Sequence, residues 1–201
     1  GGSTIKVGFN DMILVCNSRN HTQIVDLAFD GNTKTNVIGI GHVPESMTQT
    51  TTLVSNGYSK VQNVTINDTA IGMAYQPGPT VTGSDSGCFY HEVDNLLSNQ
   101  NNLHMWFKAD STAGTNRTTR TTVSNSVITR GNTGVLIDKG TEIDFVSCFF
   151  EHFAVAYAEG SVLPSATPTC FNYADTNPAN IRLIGGYAEN CDKNVVSASG
   201  Y

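Results

Sequence analysis

Two glutamates and one aspartate hold positions at which carboxyl chemistry is feasible. Residues 143–151 and 181–189 can be laid over one another so that Glu151 and Glu189 take the same place in each segment. If the segments are neighbouring parallel strands, the two carboxyls lie near the roughly 5 Å separation of a retaining glycosidase. Mutual repulsion would then raise the pKa of one carboxyl, as an acid catalyst requires. Asp144 is a third catalytic candidate, aligned here with Asp26 and Asp94.

Other side chains could bind a saccharide beside these carboxyls. His152 could orient a sugar or share a proton with Glu151. Trp106 could stack on a sugar ring, although packing in the core is equally compatible with its sequence context. Arg130 and Arg182 could compensate the glutamates, or neutralise a uronic acid if the enzyme were a lyase. Weaker candidates are His91 beside Glu92 and the tyrosines Tyr75, Tyr90, Tyr157, Tyr173 and Tyr187.

No cofactor or metal site is predicted. The sequence has no calcium loop, P-loop, dinucleotide fingerprint or nucleophile elbow. Its five cysteines have neither zinc-ligand spacing nor the regular pattern of a disulfide framework, so we expect free and mostly buried thiols. Folding in a reducing cytoplasm follows from that expectation.

Repeated short strands must position these candidates. Helix patterns are nearly absent, and runs of Val, Ile and Phe alternate with Asn, Thr, Ser and Gly. Similar segments start at residues 24, 61, 93, 123, 143 and 181, and most are followed by a second apolar strand. These second strands are predicted at 71–73, 103–107, 135–137, 153–157 and 195–196. Loop insertions are predicted at 44–56, 76–88, 110–122 and 159–180, where Pro, Gly, Ser and Thr concentrate.

This spacing predicts an all-β fold, a right-handed single-stranded parallel β-helix of at least five coils over residues 1–201. Stacked coils bury Val, Ile, Phe and Cys against their neighbours and leave Asn, Thr and Asp outside. Because no capping segment is evident, we expect a fragment of a longer chain or an oligomer. The first three residues, 1–3, look like a cloning remnant.

One segment carries a family resemblance. Asp26-Leu-Ala-Phe-Asp-Gly-Asn32 resembles a coil common in pectate-lyase-like parallel β-helices, especially bacteriophage tailspikes, and residues 60–66 fit the same style. The motif is specific for architecture and weak for chemistry. In that family Asp30 serves a turn, with Gly31 taking a backbone shape that other residues resist. The resemblance implies a homotrimer on a virion tail that binds and depolymerises a bacterial surface polysaccharide.

Charge and hydropathy narrow the alternatives. The net charge of −6 and the scattered basic residues argue against nucleic acid as a partner. No stretch of 18 apolar residues exists, so no membrane insertion is expected. The leading expectation is a tailspike-type glycoside hydrolase, or a polysaccharide lyase, acting on bacterial capsule or O-antigen. The alternative is a non-enzymatic structural or adhesive segment of a viral fibre, with a bacterial adhesin or autotransporter passenger as a third option.

Overall fold

The fold is all-β. The computed structural model describes residues 3–11, 13–16, 21–42, 56–75, 88–107, 118–137, 140–153, 169–173, 179–191 and 193–197. Every regular element in these ranges is a strand. The described residues accordingly contain no long apolar helix that could cross a membrane. The strands are β1 (Ser3–Lys6), β2 (Ile13–Cys16), β3 (Gln23–Val25), β4 (Leu27–Asp30), β5 (Ile38–His42), β6 (Asn56–Asn67), β7 (Ile71–Tyr75), β8 (Cys88–Asn99), β9 (Leu103–Phe107), β10 (Thr118–Ser124), β11 (Val127–Thr129), β12 (Thr133–Ile137), β13 (Gly140–Phe153), β14 (Thr169–Tyr173), β15 (Ala179–Cys191) and β16 (Lys193–Ser197).

The strands form two parallel sheets. Sheet A has nine strands, namely β1, β3, β4, β6, β8, β10, β11, β13 and β15. Sheet B has seven, in the order β16-β14-β12-β9-β7-β5-β2. From β3 onward the chain alternates between strands of sheet A and single strands of sheet B. Each strand pairs in parallel with the equivalent strand of the preceding and the following repeat. The predicted all-β, parallel-stranded architecture is therefore confirmed.

The predicted repeats match the observed register at most positions. Ile24 lies opposite Val61, Val61 opposite Val93, and Val93 opposite Val123. The next step was wrong, because Val123 lies opposite Phe145 and not opposite Ile143. The step from residue 143 to residue 181 was right.

Three predicted boundaries need correction. Of the second strand expected at 153–157, Phe153 belongs to β13, and residues 154–157 lie outside the described residues. In the described part of the chain, the strand of sheet B that follows β13 is β14, which pairs with β12. The loops expected at 110–122 and 159–180 extend too far, since they include the start of β10, all of β14 and the start of β15. The remaining predicted loop residues lie mostly outside the described ranges.

Inward side chains of successive strands form the core. Alternate residues of β6, β8 and β10 are buried, among them Val61, Val93 and Val123 in one row. The rings of Tyr75 and Phe107 stack at 4.9 Å between neighbouring strands of sheet B. Each such side chain contributes about 1.5–3 kcal/mol through burial of apolar surface. The core is continuous because similar side chains recur at equivalent positions of successive strands.

Sheet A bends sharply at residues with left-handed backbone conformation. Asp26, Asn63 and Asn95 have φ values between 53° and 56°, and they lie opposite one another in successive strands. The Asn63 Nδ2 group donates to Asp26 Oδ1 at 2.9 Å, and Asn95 Nδ2 donates to Asn63 Oδ1 at 2.8 Å. Asn and Asp tolerate this conformation best among residues with a side chain, which explains why they recur at the third place of these segments.

The cysteines differ in state. Cys148 is free and buried, and burial raises the pKa of its thiol, as expected for a core cysteine. Cys191 takes part in a disulfide bond, which corrects the expectation of free thiols at this position.

A buried imidazole makes stability sensitive to acid. The ring of His104 is fully buried, with Nδ1 2.7 Å from the Ser98 hydroxyl, and burial lowers its pKa from 6.5 to about 3. Burial likewise lowers the pKa of His42 well below its usual value. The unfolded chain therefore takes up these protons first, so stability is complete above pH 6.5 and falls as the pH drops toward 3.

We expect the free energy of unfolding to fall by about 2 kcal/mol between pH 7.5 and pH 5 through His104 alone. Urea denaturation at the two pH values measures this loss. In His104→Gln the pH-dependent loss should shrink by that amount, whatever the stability of the variant at pH 7.5. An equal loss in wild type and His104→Gln would contradict the assignment.

Candidate functional site

Glu151 and Glu189 lie side by side on the outer face of sheet A. They occupy the ends of β13 and β15 and are directly opposite each other in the parallel register. The residue before Glu151 is the buried Phe150, so alternation along the strand turns the glutamate outward. Glu151 is half-buried and Glu189 is exposed. The predicted adjacency of the two carboxyls is thus present.

His152 completes a compact group with these glutamates. One ligand atom from each of Glu151, His152 and Glu189 lies within 4.8 Å of the other two. His152 has a φ of 62°, and this left-handed corner lets two consecutive side chains share the outer surface. Carboxylate and imidazole groups at this spacing are suitable ligands for a divalent cation such as Zn²⁺. These three side chains are therefore the ones on the described surface that could hold a metal.

Tyr187 is hydrogen-bonded to Glu151. The Tyr187 hydroxyl donates to Glu151 Oε1 at 2.6 Å. That hydrogen bond, with smaller effects of desolvation and of the charges on Glu151 and Glu189, raises the pKa of Tyr187 to about 12. The phenol consequently stays protonated as a donor at all physiological pH values. The bond holds the Glu151 carboxyl against the Tyr187 side chain on the outer face of sheet A.

An apolar stripe runs beside the glutamates. Leu97, Val127, Phe149 and Tyr187 lie opposite one another in successive strands, two residues before the row that contains Glu151. Leu97 and Tyr187 are 42% and 47% exposed, and the Phe149 and Tyr187 rings meet edge to face at 4.8 Å. Exposed aromatic and aliphatic side chains of this kind offer an apolar surface beside the two acids.

Asp144 is separate from the glutamate pair. It lies opposite Thr122 and Arg182, in the row of Lys60 and Glu92, and not in the predicted row of Asp94. Arg182 donates two hydrogen bonds to Asp144, from Nε to Oδ1 at 2.7 Å and from Nη2 to Oδ2 at 2.5 Å. These bonds lower the pKa of Asp144. An aspartate held ionised in this way is unsuited to the role of a general acid.

The other predicted binding residues are spread over the molecule. Trp106 lies on β9 in sheet B and packs with Ile38, Ile71 and Ala74. The expectation that it lies beside the glutamates of sheet A was therefore wrong. Arg182 balances Asp144. Arg130 is at the corner next to His152 in the neighbouring strand, and its backbone N–H donates to the Glu151 carbonyl at 3.0 Å.

Sequence reasoning assigned too little weight to the aromatic residues of sheet A. Tyr187 was only one of several tyrosines, and Phe149 was not considered. The signal was available, because Phe149 and Tyr187 occupy the same place in the two segments that align Glu151 with Glu189.

The geometry defines a class of protein: an all-β chain of two parallel sheets with a paired-carboxylate surface site. The chain has no significant match to a family model, to a curated protein or to a solved structure. The assignment of function therefore depends on the site itself.

Proposed function

We propose that the two sheets are faces of a right-handed parallel β-helix. The support is the repeated passage of the chain from sheet A to sheet B and back, with parallel pairing at every step. Parallel crossover connections are right-handed in nearly all proteins.

We further propose that the chain is tailspike-like, and that it binds and depolymerises a bacterial surface polysaccharide by hydrolysis. The observation that carries this proposal is the juxtaposition of Glu151 and Glu189, whose side-chain oxygens approach within 4.8 Å. That separation fits the roughly 5–5.5 Å spacing of a retaining pair and is too short for the water required between an inverting pair. The apolar stripe beside the pair supports a saccharide as the ligand.

The two glutamates take different roles. Glu151, which accepts a hydrogen bond from Tyr187 and is held in place by it, is the nucleophile in this proposal. Glu189 is the acid: it protonates the glycosidic oxygen while a Glu151 oxygen attacks the anomeric carbon, so that the C–O bond to the leaving sugar breaks and a glycosyl ester forms. Glu189 then removes a proton from water, which attacks the anomeric carbon and releases Glu151. Both carboxyls return to their starting states.

A second function, adhesion without cleavage, is favoured by the exposure of Glu189. An acid on an open surface is not shielded from water, whereas enzymes strengthen such groups by excluding water. In either case we propose a homotrimer on a virion tail, as the family resemblance implies. Light scattering of the purified chain checks the homotrimer.

Incubation with capsular and O-antigen polysaccharides separates these functions. Hydrolysis is expected to release new reducing ends without the ultraviolet absorbance of an unsaturated uronate, and to continue in EDTA because the mechanism uses only carboxyls. The absorbance would instead indicate a lyase. Retention of a polysaccharide without any new ends would leave adhesion as the function. A Glu151→Gln, Glu189→Gln double variant is the control, and full cleavage by it would refute the assignment.

A further inference from the structure

Sheet A carries a second polar depression away from the glutamate pair. Its walls are Tyr90, Arg120, Thr122, Glu142, Asp144 and Arg182, and they enclose about 580 Å³. We name this depression the arginine groove. We propose that the arginine groove is a binding site for a neutral saccharide segment with neighbouring hydroxyl groups.

The charges of the arginine groove balance. Arg120 Nε donates to Glu142 Oε2 at 2.7 Å, and Arg182 is bound to Asp144 in the bidentate manner described above. Two cations and two anions leave no net charge to attract an ionic ligand. An anionic sugar would face two carboxylates that are already paired, so a neutral ligand is favoured.

Hydrogen-bonding capacity remains in the groove after these pairs form. A guanidinium has five N–H donors, and Arg182 uses two of them on Asp144. Each carboxylate has about four acceptor positions, of which the arginine fills at most two. Thr122 adds a hydroxyl to the lining of the groove. Donors and acceptors set side by side match adjacent sugar hydroxyls, each of which both donates and accepts.

The wall of the groove is held in place by stacked side chains. Tyr58, Tyr90, Arg120 and Glu142 come one after another on successive strands, all at left-handed backbone positions with φ between 53° and 59°. The rings of Tyr58 and Tyr90 stack at 4.8 Å, and the guanidinium of Arg120 lies 5.0 Å from the Tyr90 ring centre and donates to its hydroxyl. Side chains fixed in advance lose little entropy when a ligand binds.

The arginine groove and the glutamate pair share one strand. Asp144 and Glu151 are seven residues apart on β13, which corresponds to at most about 23 Å of extended backbone. The left-handed Ser147 lies between them, so a polysaccharide chain that occupied both places would follow the bend of sheet A. The choice of a glycan as ligand rests on the proposed function, but binding in the groove does not require cleavage at Glu151 and Glu189.

Binding is measured in the cleavage-deficient Glu151→Gln, Glu189→Gln background, so that the bound polysaccharide stays intact. The probes are immobilised neutral O-antigen polysaccharides and uronic-acid-containing capsular polysaccharides. Thr122→Trp fills the groove without removing either ion pair and is expected to weaken binding of the retained neutral polysaccharide at least about tenfold. Thr4→Trp, an exposed threonine on β1 at the far side of sheet A, is the control and should not change the affinity.

A second variant removes the polar network without filling the space. Arg120→Gln combined with Glu142→Gln keeps the groove neutral and should also weaken binding, and melting curves verify that both variants are folded. Equal affinity of the Thr122→Trp and Thr4→Trp proteins, preference for the uronic acid polymers, or no retention of any neutral polysaccharide would each overturn the proposal. If the wild type cleaves glycan while Thr122→Trp binds normally, the groove assignment fails and the proposed function stands. If Thr122→Trp loses binding but the wild type never cleaves a polysaccharide, the groove assignment stands and the proposed hydrolysis fails.

Discussion

Glu189→Gln is expected to lower kcat for glycan cleavage by roughly 10³-fold, within the range found when a general acid–base group is removed. The amide cannot transfer a proton to the leaving sugar. Glu151→Gln is expected to lose at least as much, because an amide at this position cannot form the glycosyl ester. New reducing ends, released over time from a polysaccharide that the wild type cleaves, give both rates.

The control for these variants is another glutamate of sheet A. Glu92 is exposed and pairs with Lys60 at 3.2 Å, in a different row from the catalytic pair. Glu92→Gln should retain wild-type cleavage, which would show that loss of one negative charge from the surface is not the cause. A Glu189→Gln protein as active as Glu92→Gln would exclude Glu189 as the acid.

Tyr187 tests the role assigned to Glu151. Tyr187→Phe removes the 2.6 Å hydrogen bond to Glu151 Oε1. If Glu151 is the nucleophile, the variant should cleave with a lower kcat, because the carboxylate is no longer held in one orientation for attack on the anomeric carbon. A wild-type kcat in Tyr187→Phe would show that this bond does not position the nucleophile.

The parallel repeat was predictable because its inward rows use one residue type. Val61, Val93 and Val123 recur at the start of each segment, and the structure places them opposite one another. The error at the next step has a physical cause. Ile143 and Phe145 both face the core, and a shift of two residues keeps every side chain on its own face, so the hydrophobic pattern cannot distinguish the two registers.

The glutamate pair was predictable because residues 143–151 and 181–189 align without a shift. The same alignment places Asp144 beside Arg182, an ion pair that sequence reasoning overlooked. The separation of Trp106 from the glutamates was predictable, because residues 103–107 were assigned to the second strand of a coil and this strand lies in sheet B. The left-handed corner at Tyr90 and Arg120 was hidden, because bulky side chains give no sequence signal for that conformation.

The motif Asp30-Gly31-Asn32 has a different basis from the expected one. Asn32, with a φ of 53°, adopts the left-handed conformation, whereas Gly31 is not among the residues with positive φ. Asn32 N–H bonds to Asp30 Oδ1 at 2.8 Å, which closes the turn. Gly31 is required because another part of the backbone comes close: a Cβ at this position would lie 1.9 Å from the carbonyl oxygen of Asp68.

Gly31→Ala is therefore expected to lower the free energy of unfolding by about 3 kcal/mol, at the upper end of typical overpacking costs. The added methyl meets the oxygen and, at 2.6 Å, the carbon of the Asp68 carbonyl, and neither can rotate away as a side chain would. Relief requires β4 and β6 to separate where Gly31 N–H donates to the Asn67 carbonyl at 2.8 Å. For a chain of this length the loss corresponds to a decrease in Tm of roughly 10 °C.

Gly8→Ala is the matched control, because a Cβ at Gly8 meets no atom within 4 Å. Its Tm should stay close to that of the wild type, and urea denaturation of the three proteins gives the differences in unfolding free energy. Equal stability of the Gly31→Ala and Gly8→Ala proteins would mean that the backbone at Asp68 can move aside at little cost. The Asp-Gly-Asn segment would then be a local turn only, and the close approach of successive strands would not be what requires glycine at this position.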